Sequence, residues 1–192
     1  MIDLSVKADL KAATRYLYDY ERRVIPRATN RSINTTARNV QTAINRHIAK
    51  ETGLKAGEVK AATSITKSTF STLRAIVKGR RRPYNLFRFL QPRNRSFLPG
   101  AFANQRGVKA NPWRKSRIFK GTFIIRGSGH GRPIVVKRTG RNRYPLKAVY
   151  GPSIHSEFNR PAARALMNST ARTRFRINFE RDLKYYISRL RT

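Results

Sequence analysis

The stretch IFKGTFIIRGSGHGRPIVVKR, residues 118–138, decides the fold class. Ile118 to Arg126 and Pro133 to Arg138 are dense in β-branched and aromatic residues. The glycine-rich run Gly127-Ser128-Gly129-His130-Gly131 separates them. Two such runs about a short glycine-containing segment predict a β-hairpin. A third extended run, Tyr144 to Tyr150, follows Gly140-Arg141-Asn142-Arg143. Upstream, Ser68 to Lys78, with Phe70, Leu73, Ile76 and Val77, predicts a further strand that Arg80-Arg81-Arg82-Pro83 ends. Residues 90–117 are rich in Pro, Gly, Asn and Arg and show no period, which predicts a long basic loop; loops of that length in compact domains carry function or are disordered.

Helical patterns flank this middle. Over residues 4–50, Leu10, Ala13, Leu17, Val24, Ala28, Ile33, Ala37, Val40, Ile44 and Ile48 recur mostly at three- and four-residue spacings. Pro26 removes a backbone donor and predicts a kink or break near residue 25. Gly53 is placed to end the helix, and residues 55–62 suit a short one. At the other end, Ser153 to Met167 and Asn168 to Leu190 carry Phe158, Ala162, Leu166, Phe175, Phe179, Leu183, Tyr186, Ile187 and Leu190 at helical spacing. Pro161 is expected to set off a short first piece. Helices flanking a small antiparallel sheet make an α+β fold. The expected organisation is a single domain over 1–192, with helical regions at 1–58 and 153–192 and a basic sheet-and-loop region at 59–152.

The chain has 192 residues, 39% of them apolar, enough to fold about a core and too many for a disordered basic tail. It holds 43 Lys and Arg against 9 Asp and Glu, a formal charge of +34. The acids are unevenly spread: residues 59–156 hold 23 basic side chains and no carboxylate. That middle cannot pair its charges internally, so salt or an anionic partner must screen its self-repulsion. A one-signed block of this length is hard to explain by solubility alone and favours a surface facing DNA, RNA or acidic protein. No cysteine is present, which excludes disulfides, thiolate catalysis and Cys-type zinc sites. No run of 18 apolar residues predicts a membrane span, and MIDLSVKADL lacks the pattern of a signal peptide, so the protein is expected to stay where it is made.

The residues for catalysis are sparse. His47, His130 and His155 show no metal-ligand spacing, and carboxylates are too few and scattered for a metal site. No enzyme activity, cofactor or metal is expected. Gly127-x-Gly129-x-Gly131 lacks the strand, helix and Gly-Lys-Ser/Thr ending of a phosphate loop and reads as a hairpin tip. The candidate contacts are basic: Arg80, Arg81, Arg82, Arg93, Arg95, Arg106, Lys109, Arg114, Lys115, Arg117, Arg141 and Arg143. Such loops hold phosphates without reading sequence. Tyr84, Phe87, Phe89, Phe97, Phe102 and Trp113 are interleaved with them. These rings suit base stacking on single strands, and suit core packing and subunit contact better. No recognition helix, RRM motif or zinc finger is present, so specific base reading is not expected.

The segment Gly140-Arg-Asn-Arg-Tyr-Pro-Leu-Lys-Ala-Val-Tyr-Gly-Pro-Ser-Ile154 resembles one carried by the phage minor tail protein Z family. Its core here is Asn142, Arg143, Tyr144 and Pro145. The hairpin from Phe119 to Arg138, the helical first 50 residues with Ile25-Pro26 and Asn30-Arg31, the length and the basicity also fit, and the likeness covers most of the chain in order. The resemblance implies a fold similar to tail-completion proteins of long, non-contractile-tailed phages. It implies a virion protein at the head-proximal end of the tail, in a homohexameric ring, finishing the tail and joining it to the head. Host cytoplasm would hold it only during assembly. Implied partners are further copies of itself, tail terminator, tail tube and head–tail connector proteins, and double-stranded DNA bound non-specifically. No membrane is implied.

Six chains at +34 each carry +204, whereas a channel on the order of 40 Å long holds only about 24 phosphate charges of duplex. Most of the positive charge must therefore face acidic neighbours, salt, or DNA beyond the channel. The expectation is that residues 80–117 face the lumen or an acidic ring while the terminal helices form the scaffold. The alternative is a stand-alone, non-specific nucleic-acid-binding protein of ribosomal or packaging type.

Overall fold

The computed structural model describes residues 15–90, 107–126 and 133–189. The fold is α+β. A helix enters at residue 15, passes through a π-helical turn at Tyr20–Val24 and continues as α1 (Ile25–Thr52). Then come α2 (Ala56–Ala61), β1 (Thr63–Thr66), β2 (Ile76–Gly79), β3 (Val108–Ala110), β4 (Arg117–Phe119), β5 (Thr122–Arg126), β6 (Pro133–Arg138), β7 (Leu146–Ala148), α3 (Ile154–Phe158) and α4 (Pro161–Ser188). The chain forms two compact units. One comprises the described parts of Met1–Ala43 and Ala165–Thr192, with Ile65–Lys78; the other comprises Ile44–Ser64 and Gly79–Arg164.

Pro26 does not break the helix. Without an N–H it cannot bond back to Arg22, and the preceding turn widens: the Ile25 N–H donates to the Tyr20 carbonyl five residues back. Along α1 the buried positions follow a four-residue repeat. Val24, Ala28, Ser32, Thr36, Val40, Ile44, Ile48 and Thr52 are all buried. This is one i±4 ridge, and it winds slowly round the helix because 3.6 residues make a turn. Two of its polar members are bonded locally: the Ser32 and Thr52 hydroxyls donate to the Ala28 and Ile48 carbonyls, each at 2.6 Å. Leu17, expected on the apolar face, is 65% exposed. Gly53 caps the helix as its position predicted, donating its N–H to the Ala49 carbonyl.

In the helical unit, α1 and α4 are stapled by polar pairs. Asn178 donates to the Thr36 hydroxyl at 3.0 Å, and the Ser32 hydroxyl shares its one proton between the Ala28 carbonyl and Asp182, the latter at 3.1 Å. Asn178 and Asp182 are both buried. The apolar reading of α4 named their neighbours instead: Phe179 and Leu183 are only half-buried and Phe175 is exposed. The helix also runs through residue 168 without interruption. The strand expected over 68–78 is shorter. The Thr69 and Thr72 hydroxyls cross-bond each other and the local backbone, closing a turn that leaves Phe70 exposed; β2 begins only at Ile76.

In the other unit, β5, β6 and β7 form an antiparallel sheet in that order. Phe123 pairs with Val136 and Ile125 with Ile134, the expected hairpin; its connecting turn at 127–131 lies outside the described residues. The single strand expected over 118–126 is two. A turn at Lys120-Gly121, with Gly121 at φ +70°, separates β4 from β5. β4 pairs instead with β3, a strand inside the expected loop, whose part at 91–106 is not among the described residues. Gly107 opens β3 at φ +129°, and a Cβ there would meet the Phe119 carbonyl. The core of this unit includes Ile48, Val59, Leu86, Val108, Ile124, Val135 and Ile154.

Candidate functional site

The sheet unit carries a groove of about 410 Å³, lined by Arg80, Arg82, Pro83, Tyr84, Asn85, Phe87, Arg88, Pro133, Ile134, Ala148 and Tyr150. The backbone that bears its arginines is fixed on both sides. The Arg80 N–H donates to Ala62, and the Arg80 carbonyl accepts from His155. The Tyr84 N–H donates to the Pro152 carbonyl and the Tyr84 carbonyl accepts from Gly151. Asn85 is the hinge of the arrangement. Its side-chain oxygen accepts from the Phe87 and Val135 amides at 3.0 and 2.9 Å, and its amide nitrogen donates to the Val135 carbonyl at 3.2 Å. One side chain thus caps the 3₁₀ turn Leu86–Phe89 and docks it on β6. The result is a fixed wall of aromatic and aliphatic surface with exposed guanidinium groups at its rim.

Electrostatics leave that rim positive. Arg80 and Arg82 make no ion pair among the described residues, whereas Arg88 pairs with Glu58 at 2.9 Å. Glu58 and Glu157 stand at the two edges of the carboxylate-free stretch. They supply the ion pairs described in this unit, Arg88 with Glu58 and Arg160 with Glu157. Tyr84 donates its hydroxyl to the Glu58 carbonyl at 3.2 Å. Burial, and then the nearby Glu58 charge, push its phenol pKa up.

The basic candidates separate into three places. Arg80 and Arg82 meet in the groove; Arg81 is exposed but does not line it. Lys109, Arg114, Lys115 and Arg117 lie on the β3–β4 hairpin and are exposed. Arg141 and Arg143 lie in the β6–β7 connection with Asn142, Tyr144 and Pro145, all exposed. There the Arg143 guanidinium lies 5.9 Å from the Tyr144 ring, and the Thr139 hydroxyl donates to the Pro145 carbonyl at 3.0 Å across a cis Tyr144–Pro145 peptide. Arg93, Arg95 and Arg106, with Phe97 and Phe102, lie outside the described residues. Sequence reasoning missed Arg88 as a groove residue, although Asn85 two residues before Phe87 signals the capped turn that aims it.

Trp113 is occupied structurally. Its indole N–H donates to Glu157 at 2.8 Å, Arg160 pairs with the other oxygen of Glu157 at 2.9 Å, and the Arg160 guanidinium lies 5.8 Å from the Trp113 ring. Glu157 has a side chain 3% exposed, so it is committed to this knot. His155 is exposed and lies beside Asn159. Among the described residues no group of three or more His, Cys, Asp or Glu side chains could hold a metal, and no helix is long and apolar enough to cross a membrane.

No curated protein and no solved structure matches the chain. One family model does, that of the prophage minor tail protein Z (GPZ), over residues 7–192. The match covers nearly the whole chain, so the chain belongs to that minor tail protein family.

Proposed function

We propose that this protein is one subunit of a ring at the head-proximal end of the phage tail, where it completes the tail, contributes to joining it to the head and contacts the DNA path. The observation that carries the reading is the family match over nearly the whole chain, which makes the protein a structural component of the tail and hence of the virion. A structural family argues against an enzyme. Apolar side chains left in solvent support self-assembly: Leu17 is 65% exposed and Ile177 50%, both on helices that a closed ring would pack against neighbours. The groove has apolar walls and two arginines, Arg80 and Arg82, that make no ion pair among the described residues. It suits an acidic polypeptide segment of an adjoining tail protein, with carboxylates on Arg80 and Arg82 and an apolar side chain on Phe87 and Tyr150.

The test is complementation with Arg80→Glu and Arg82→Glu together. Both side chains are exposed, so the variant folds with an unchanged melting temperature, and it yields few complete, infectious particles. Normal assembly and infectivity would remove the groove from the assembly contacts.

A further inference from the structure

A second basic pocket lies in the helical unit, which the sequence assigned to scaffolding. It has a volume of about 630 Å³ and is lined by Arg31, Asn34, Thr35 and Arg38 from α1, Lys67 from the segment after β1, and Arg181 from α4. No apolar side chain lines it. Four cations converge there from three separate stretches of chain.

The pocket is built. Asp182, with a side chain 2% exposed, accepts from Arg181 Nε at 3.1 Å and Arg181 Nη2 at 2.9 Å, and pairs with Arg31 Nε at 3.5 Å. Its other oxygen accepts from the Ser32 hydroxyl. Arg31 is further fixed with its guanidinium 4.9 Å from the Tyr185 ring. One buried carboxylate therefore sets two guanidinium groups in place and neutralises one charge of the four. Of the five N–H groups a guanidinium offers, Arg181 gives two to Asp182, and Arg31 is shared between Asp182 and the Tyr186 and Tyr185 hydroxyls. Asn34 sets the third wall: its side-chain oxygen accepts from the Ser68 amide at 2.8 Å and its amide nitrogen donates to the Ser68 carbonyl at 3.2 Å, which holds Lys67 beside α1. Arg38 and Lys67 make no ion pair among the described residues.

Ligand chemistry follows from the lining. An acidic polypeptide brings apolar side chains with its carboxylates, and this pocket gives them nothing to rest on. Phosphate oxygens accept hydrogen bonds from several directions at once and ask for fixed cationic donors on polar walls. We propose that this pocket seats backbone phosphates of duplex DNA. The proposal rests on the reading above that the DNA path meets this protein, and it locates one contact on the helical unit.

The experiment uses the full-length chain and a short duplex of arbitrary sequence. Affinity is measured across a salt series for the wild type and for Arg38→Ala combined with Lys67→Ala. The logarithm of affinity against the logarithm of salt should lose about 1.8 of slope, two contacts at roughly 0.9 each, equally for unrelated sequences. Lysine acetylation read by mass spectrometry should show Lys67 of the wild type protected by the duplex. An unchanged slope with Lys67 unprotected would overturn the pocket while leaving DNA contact elsewhere intact. Equal protection of Lys67 by a poly-glutamate chain of the same charge would overturn it in favour of an acidic protein. Failure of the wild type to bind duplex even at low salt would overturn both the pocket and the DNA reading.

Discussion

Replacing Glu157 by Ala probes the knot that ties the β3–β4 turn to α3. Glu157 is buried and accepts the Trp113 indole N–H at 2.8 Å on one oxygen and the Arg160 guanidinium at 2.9 Å on the other. Truncation removes the indole's charged acceptor, and a hydrogen bond to a charged group contributes about 1.5–3 kcal/mol. The Arg160 partner is half in water, its side chain 45% exposed, so that pair adds only about 0.2–1 kcal/mol. The expected loss is about 2–4 kcal/mol, or roughly 4–16 °C in melting temperature for a chain of this size. Trp113 is the only tryptophan, so intrinsic fluorescence reports on the knot itself. Glu157→Ala should red-shift native emission and lower the urea midpoint followed at the same wavelength. Glu157→Gln keeps an acceptor for the indole and loses the ion pair, so it should fall between the two. Wild-type emission and an unchanged midpoint in Glu157→Ala would refute the assignment of Trp113 and Glu157 to structure.

Gly107→Ala should cost on the order of 1–3 kcal/mol from backbone strain at φ +129°, and more because the new Cβ would overlap the Phe119 carbonyl; thermal unfolding checks it. Asn178→Ala leaves the buried Thr36 hydroxyl without that donor and should lower stability by about 1–2 kcal/mol, whereas exposed Ile177→Ala should change the free subunit by less than about 0.5 kcal/mol. Tyr84 has its folded pKa raised, so its contribution is fully present below the ordinary phenol range near pH 10 and is lost as pH rises through the folded value. Stability should therefore drop in alkali, and Tyr84→Phe should remove that part of the fall, as read by unfolding midpoints on either side of the phenol titration.

What the residues disclosed were elements with a local period. The β5–β6 hairpin stands in the sequence as two β-branched and aromatic runs about a glycine-rich segment, and the structure pairs them; the α1 stripe stands as three- and four-residue spacing, of which Val24, Ala28, Ala37, Val40, Ile44 and Ile48 are buried while Ile33 is half-buried and Ser32 and Thr36 join them. Two features had no local signal. Val108–Ala110 is too short to show a period, and its partner β4 lies beyond a turn. The apolar period of α4 pointed to Phe179 and Leu183, yet the residues buried are Asn178 and Asp182, because Thr36 and Ser32 on α1 satisfy them; a burial that depends on a partner about 150 positions away is invisible to a window of eighteen residues. The widened turn before Pro26 is a local answer to a correctly read conflict. At the functional level, charge counting drew attention to the acid-free middle and its Arg80-Arg81-Arg82 run. It did not join Lys67 of that middle to Arg31 and Arg38 on α1 and Arg181 on α4, three stretches distant in sequence that gather only when α1 and α4 pack.

The central claim is that this chain is a counted structural part of the tail. Quantitative mass spectrometry of purified virions and of DNA-free tails tests it most directly. A closed ring predicts the same fixed number in both, about six copies per particle. Presence only in DNA-filled particles, at a variable number, would contradict the ring and make the protein a nucleic-acid binder carried in with the genome.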